Sequence, residues 1–136
     1  MQPTRKLLAV TMTIVAFFMA VHVNAGELSN LSGTWAGTWS SEISGHKGPL
    51  KAKFTVSDEN VVSARFTGRF FKIVPFKFLV KLNVTSQEDG VTKLSGKQDL
   101  GRALGVYHYE VTYQANEFIA NYHTDKDKGV FQVKKK

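Results

Sequence analysis

Six cations recur at even spacings, two or four residues apart, in three consecutive stretches of the chain: Lys51 and Lys53, Arg65 and Arg69, Lys77 and Lys81. If those stretches are neighbouring strands, alternation puts all six on one outer surface. Such a surface can hold phosphate or carboxylate groups, with arginine giving bidentate contacts. A plain solvated face that keeps chains apart fits the same pattern. No aromatic residue interleaves with these cations, which argues against single-stranded nucleic acid, whose bases need stacking platforms. No specific nucleic-acid partner is expected.

A second group is His108 and His123, with Glu110 two positions from the first. Two imidazoles and a carboxylate suit a transition metal, but a structural site is normally three or four ligands deep. At most three are available here, so no metal is assigned. The segment Ser44-Gly45-His46-Lys47-Gly48-Pro49 could close over a ligand or accept an anion, and it also reads as an ordinary turn. For catalysis, the chain has no Gly-x-Ser-x-Gly elbow, no His-Glu-x-x-His helix and no phosphate loop. Glu42, His46 and Asp125 could meet at one end of a small fold, but that is thin support. The expectation is a non-enzymatic protein without a cofactor.

The elements that must position these groups are strands. Period-2 patterning places them near residues 32–41, 49–57, 61–71, 76–85, 91–98, 105–113, 117–124 and 129–134. Leu50, Ala52, Phe54 and Val56 alternate with Lys51, Lys53, Thr55 and Ser57. Phe76, Phe78, Val80, Leu82 and Val84 share a face opposite Lys77 and Lys81. No stretch has a helical period. Turn residues fall between the strands at Ser57–Asn60, Glu88–Gly90, Gln114–Asn116 and Asp125–Lys128, with Pro75 expected at the corner between the third and fourth. The predicted fold is all-β: an antiparallel up-and-down meander of about eight strands, closed into a barrel that leaves no free edge.

Register follows from parity. A hairpin centred on Ala115-Asn116 pairs Tyr113 with Phe118, Tyr109 with Tyr122 and His108 with His123. Protonating both histidines would then add like charge across the hairpin. At Asp89-Gly90, a three-residue loop with Gly90 left-handed pairs Val84 with Leu94, whereas a plain two-residue loop would expose Leu94. Trp35 and Trp39, four residues apart on the first strand, face the same way as Gly33 and Gly37. Large rings beside glycines suit a barrel interior.

Ahead of the barrel, Arg5 and Lys6 precede an apolar stretch from Leu7 to Val21, and Val23-Asn24-Ala25 offers a cleavage site. The stretch is shorter than the ~18–20 residues a membrane span needs. Residues 1–25 are therefore expected to be a cleaved secretory signal peptide, with 26–136 a single barrel domain, Glu27–Asn30 a linker, and no transmembrane span after cleavage. The protein is expected to be exported, periplasmic or secreted. With no cysteine, neither a lipoprotein anchor nor a disulfide is available. Losing Arg5 and Lys6 takes the 18 basic residues to 16 against 11 acidic. The mature chain stays basic, which inclines it towards anionic surfaces.

The opening Gly33-Thr34-Trp35 on a first strand resembles the start of calycin-type barrels, the lipocalin and avidin-like families. Over most of its mature length the chain is also similar to small exported bacterial proteins with Gly-Thr-Trp, Gly-His-x-Gly-Pro and Phe-Thr-Gly-Arg-Phe segments. The calycin resemblance implies a barrel holding a small apolar or amphipathic ligand. On that reading Trp35, Trp39, Phe54, Phe78 and Tyr109 line the pocket, with His46 and Lys47 at its mouth. The alternative is association of the six-cation face with anionic lipid or polysaccharide of the cell envelope.

Overall fold

The computed structural model describes residues 28–136 except 59, 71 and 72, and excludes the side chains of Asp58 and Phe70. The expected signal segment, residues 1–25, lies outside the described residues. Eight strands follow in order: β1 (Gly33–Ser41), β2 (Lys47–Asp58), β3 (Val61–Phe70), β4 (Val74–Glu88), β5 (Val91–Asp99), β6 (Val106–Gln114), β7 (Glu117–His123) and β8 (Lys128–Lys135). Each pairs antiparallel with the next, and β8 pairs with β1 to close the barrel. Alternation drives the arrangement. Along β7, Phe118, Ala120 and Tyr122 are buried while Asn121 and His123 face water.

The β6–β7 register matches its sequence expectation residue for residue, with Tyr113 opposite Phe118, Tyr109 opposite Tyr122 and His108 opposite His123. Ala115 and Asn116 both take positive φ, as a two-residue type I′ turn requires. At the β4–β5 hairpin Val84 does pair with Leu94, by a different device. The loop has two residues, Asp89 and Gly90, both at positive φ, and the extra residue sits in the strand as a bulge between Val84 and Ser86. That bulge shifts the register by one and keeps Leu94 in the core.

Three other expectations need correction. Pro75 lies within β4, opposite Arg69, rather than at the corner. This stretch of β4 runs beyond its last pair with β5 (Leu82 with Gly96), and such an edge tolerates a missing N–H. A helical turn, Gly101–Leu104, joins β5 to β6, too short to show a period in sequence. The expected linker Glu27–Asn30 also contributes to the core through Leu28, together with Leu31 just beyond it. Leu28 and Leu31 are fully buried, and the Leu31 carbonyl accepts a hydrogen bond from Trp35 Nε1 at 2.9 Å. Two buried leucines contribute about 1.5–3 kcal/mol each. They plug the barrel end that carries the tight β4–β5 and β6–β7 turns.

That end is filled. Trp35 packs edge-on against Phe54 (5.6 Å between ring centroids), Tyr113 (5.7 Å) and Phe118 (6.5 Å), and Phe54 and Phe118 lie 4.4 Å apart. All four rings are buried.

Candidate functional site

The opposite end carries the β1–β2, β3–β4, β5–β6 and β7–β8 connections, with residues 42–46, Ile73, 100–105 and 124–127 among them. Here the aromatic core loosens into a cavity of about 70 Å³. Six rings form its wall as a continuous hoop. Trp39 meets Phe76 edge-on at 5.8 Å, Phe76 stacks on Phe78 at 5.1 Å, and Phe78 lies 5.8 Å from Tyr107. Tyr107 stacks on Tyr122 at 5.7 Å, and Tyr122 lies 5.1 Å from Phe131. Phe131 is the cross-strand partner of Trp39, which closes the circuit.

Missing side chains on neighbouring strands make room for these rings. Trp39 lies opposite Gly48, Phe76 opposite Gly68 and Tyr122 opposite Gly129. A Cβ on Gly48 would come within 2.9 Å of Trp39 Nε1, and one on Gly68 within 2.5 Å of the Phe76 ring. At Gly129 it would meet Tyr122 OH at 2.6 Å and the Ser40 carbonyl at 2.0 Å. Large rings laid over glycines across the strand fix the width of the mouth.

The rim is polar. In the β7–β8 connection Thr124 Oγ1 accepts hydrogen bonds from the N–H groups of Lys126 and Asp127, both at 3.0 Å, and Thr124 N donates to the Asp127 carbonyl at 2.7 Å. This tight turn aims the Asp127 carboxylate at the opening. There it accepts from Ser41 Oγ at 2.6 Å, Lys128 N at 2.8 Å and Tyr122 OH at 3.1 Å. Ser41 Oγ in turn accepts from Ser44 N at 3.2 Å, and Ser41 N donates to the His46 carbonyl at 2.8 Å. Asp127 thus ties β1, the β1–β2 loop, β7 and β8 together. Outside this network, Lys128 Nζ and Glu42 Oε2 form an exposed ion pair at 3.4 Å.

The site's hydroxyls stay protonated. Burial pushes Tyr122 above the ordinary tyrosine range, and the Asp127 carboxylate adds to the effect. Tyr107 is raised by burial and then by Asp127, while Tyr109 is raised by burial and then by Tyr107. Tyr109 packs behind the hoop, 6.2 Å from Tyr107 and 6.1 Å from Phe131. Its buried hydroxyl has no hydrogen-bond partner among the described residues. The mouth therefore presents apolar walls, hydrogen-bond donors and one carboxylate, a combination suited to orienting a small amphipathic molecule.

No family model matches the chain, and no curated protein matches it either. Among solved structures it is similar to a redesigned β-barrel, mFAP1, determined bound to DFHBI. The TM-score is 0.61 at 18% identity, covering 79% of this chain and 96% of that one. What the two share is the fold.

Of the residues expected to line a pocket, Trp39, His46 and Phe78 meet at this cavity. Trp35 and Phe54 sit in the filled half of the barrel, and Tyr109 lies behind the hoop. Lys47 is exposed, with the outward parity of Lys51 and Lys53 on β2, so it extends the basic face. Cross-strand pairing sets Lys53 beside Arg65 and Arg65 beside Leu79, and Thr67 between Lys51 and Lys77. Lys81 pairs with Ser63 and Arg69 with Pro75, so the six cations do share one surface. Open grooves of about 660 and 480 Å³ run between their side chains.

Sequence reasoning missed Ser41, Ser44, Phe76, Tyr107, Tyr122, Phe131 and Asp127 as one group. It placed Asp125 at this end, but Asp125 is exposed and Asp127 is the carboxylate that turns in. The available signal was Tyr122 opposite Gly129, two residues beyond an aspartate. The histidine rings of His108 and His123 stack at 4.8 Å and 11° on the outer face, between Lys97 and Lys128 in the same cross-strand row. Among the described residues no three metal-ligating side chains cluster.

Proposed function

We propose that the barrel is an exported, non-enzymatic binding module that takes the ring of a small, flat, amphipathic molecule at its mouth and uses no cofactor. The observation that carries this reading is the closed aromatic hoop rimmed by Ser41, Ser44, His46 and Asp127. A cavity of about 70 Å³ holds roughly two waters, and benzene occupies one of about 150 Å³. A single ring therefore enters edge-on, with residues 42–46 moving outward, and its polar group stays at the rim. A donor group suits the rim best, because among the described residues Asp127 Oδ2 accepts one hydrogen bond, from Tyr122.

Phenol, indole and benzylamine are suitable probes, titrated against isotope-labelled protein. The expected result is shift changes confined to Trp39, His46, Tyr122 and Asp127, strongest for benzylamine and weakened for it by Asp127→Asn. Phe78→Trp should fill the cavity and abolish them. If none of the three probes perturbs the mouth, or if the perturbations spread over the outer faces, the reading fails.

A further inference from the structure

Large aliphatic side chains are left in water almost entirely at one end of this molecule. Five are exposed among the described residues: Ile43, Ile73, Val74, Leu79 and Leu104. All but Leu79 lie at the mouth. Ile43 is on the β1–β2 connection (65% exposed), Ile73 and Val74 at the β3–β4 connection (79% and 53%), and Leu104 on the helical turn between β5 and β6 (50%). Three of the four mouth connections thus hold up an aliphatic side chain. The tight turns at the opposite end carry Asp89-Gly90 and Ala115-Asn116 instead.

On the β2–β4 side charge is distributed to match, while the exposed carboxylates Glu42, Asp99 and Asp125 stand elsewhere around the mouth. On the outer face of β2–β4 the exposed charged side chains nearest the mouth are Lys47, Arg69, Lys77 and Lys51. The outward positions of β2, β3 and β4 that the structure describes carry no carboxylate as far as Asn83. The six-cation face and Lys47 form no ion pair among the described residues; the Lys128–Glu42 pair lies on the other side of the mouth.

We infer that the mouth end is a docking surface for an anionic lipid bilayer. Ile43, Ile73, Val74 and Leu104 enter the headgroup–acyl boundary, and Lys47, Arg69, Lys77 and Lys51 lie against the phosphates. Isolated aliphatic tips on separate loops around an opening mesh with a deformable lipid surface. An obligate protein partner would call for a larger and continuous apolar surface. A polysaccharide offers nothing for the aliphatic tips to enter. Apolar burial and anionic attraction add in such contacts, as they do for interfacial membrane segments. The docking needs no molecule in the cavity, so it stands or falls apart from the function proposed above.

Among the described residues the closed barrel and its core lie within Leu28–Lys135, so residues 26–136, the expected mature chain, are the chain to test. This also keeps the apolar stretch Leu7–Val21 away from the vesicles. Co-sedimentation is measured with vesicles containing phosphatidylglycerol and with vesicles of phosphatidylcholine alone. The unsubstituted chain should bind the first and not the second, more weakly at high salt. One basic residue at an anionic surface is worth roughly fivefold in affinity. Arg69→Gln with Lys77→Gln should therefore weaken binding about twenty-five-fold.

Ile43→Ser, Ile73→Ser and Leu104→Ser together should weaken binding at least about tenfold, since even partial insertion of three aliphatic chains contributes that much. Their salt dependence should not change. All five positions are exposed, so melting temperatures should hold. Absence of binding to phosphatidylglycerol vesicles at low salt overturns the inference. So does undiminished binding by the triple variant, which would mean adhesion by charge alone. Binding to dextran sulfate in place of vesicles, or a dimer in sedimentation that the triple variant dissolves, would overturn it in favour of a polysaccharide or of a second copy of the chain.

Discussion

Asp127 accepts three hydrogen bonds at the mouth, and two of its donors, the Ser41 and Tyr122 hydroxyls, belong to buried residues. Asp127→Ala leaves both hydroxyls without that acceptor, at about 1–3 kcal/mol each. The Ser40 carbonyl, 3.5 Å from Tyr122 OH, recovers part of the loss, and Lys128 N–H turns to water. The net cost should be about 2–4 kcal/mol, which for a barrel of this size lowers Tm by roughly 8–16 °C. Tyr122→Phe alone should cost about 1 kcal/mol. In a Tyr122→Phe background one orphaned hydroxyl is already gone, so Asp127→Ala should cost about 1 kcal/mol less than it does alone. Urea unfolding of the four proteins, followed by tryptophan fluorescence, measures that coupling provided the m-values agree. Costs that add to within about 0.5 kcal/mol would mean that the two side chains act independently. The account of the rim as one network would then be wrong.

Two further outcomes follow from the same end of the barrel. Tyr107, Tyr109 and Tyr122 are all raised in the folded state, chiefly by burial, so the stability tied to their protonation is complete below about pH 10. It is lost as pH climbs from there towards the folded values, at no more than about 1.4 kcal/mol per pH unit for each residue. Tyrosinate absorbance from these residues should therefore rise together with unfolding, and Tyr109→Phe should flatten the alkaline loss at little cost near neutrality. Free titration with the fold intact would refute this. Gly129→Ala places a Cβ 2.0 Å from the Ser40 carbonyl, so β1 and β8 must part; a loss of about 3 kcal/mol or more is expected in urea unfolding. A near-neutral result would show that the two strands approach less closely than described.

How much of this was open to sequence reading depended on whether the cause was local. Alternation with period 2 is set by the pleat, so the eight strands, the inward row Leu50–Ala52–Phe54 and the Tyr109–Tyr122 pair could all be read from the chain. Parity even required an extra residue between Val84 and Leu94. It could not say whether that residue sat in the turn or in the strand, since both choices restore the same pairing. The structure puts it in the strand, where Asp89-Gly90 keeps the two-residue turn that best suits a right-handed twist. Leu28 was misjudged as linker, and Leu31 beside it passed over, for a related reason. A plug is not a repeating element, and nothing periodic marks a residue that folds across a barrel end.

The rim was hidden because its members are far apart in sequence and near each other only once the barrel closes. Ser41 and Asp127 are 86 residues apart, and pairing of β1 with β8 brings them to 2.6 Å. Asp125 and Asp127 look equivalent in a polar turn. Only the Thr124 hydroxyl, by capturing the N–H groups of Lys126 and Asp127, decides which carboxylate points inward. The glycines were readable in principle. Gly48, Gly68 and Gly129 each stand across a strand from an aromatic, and those three rings belong to the same hoop. A Cβ at any of the three would collide with the ring across from it, so these glycines decide how closely the hoop's rings lie against the barrel wall.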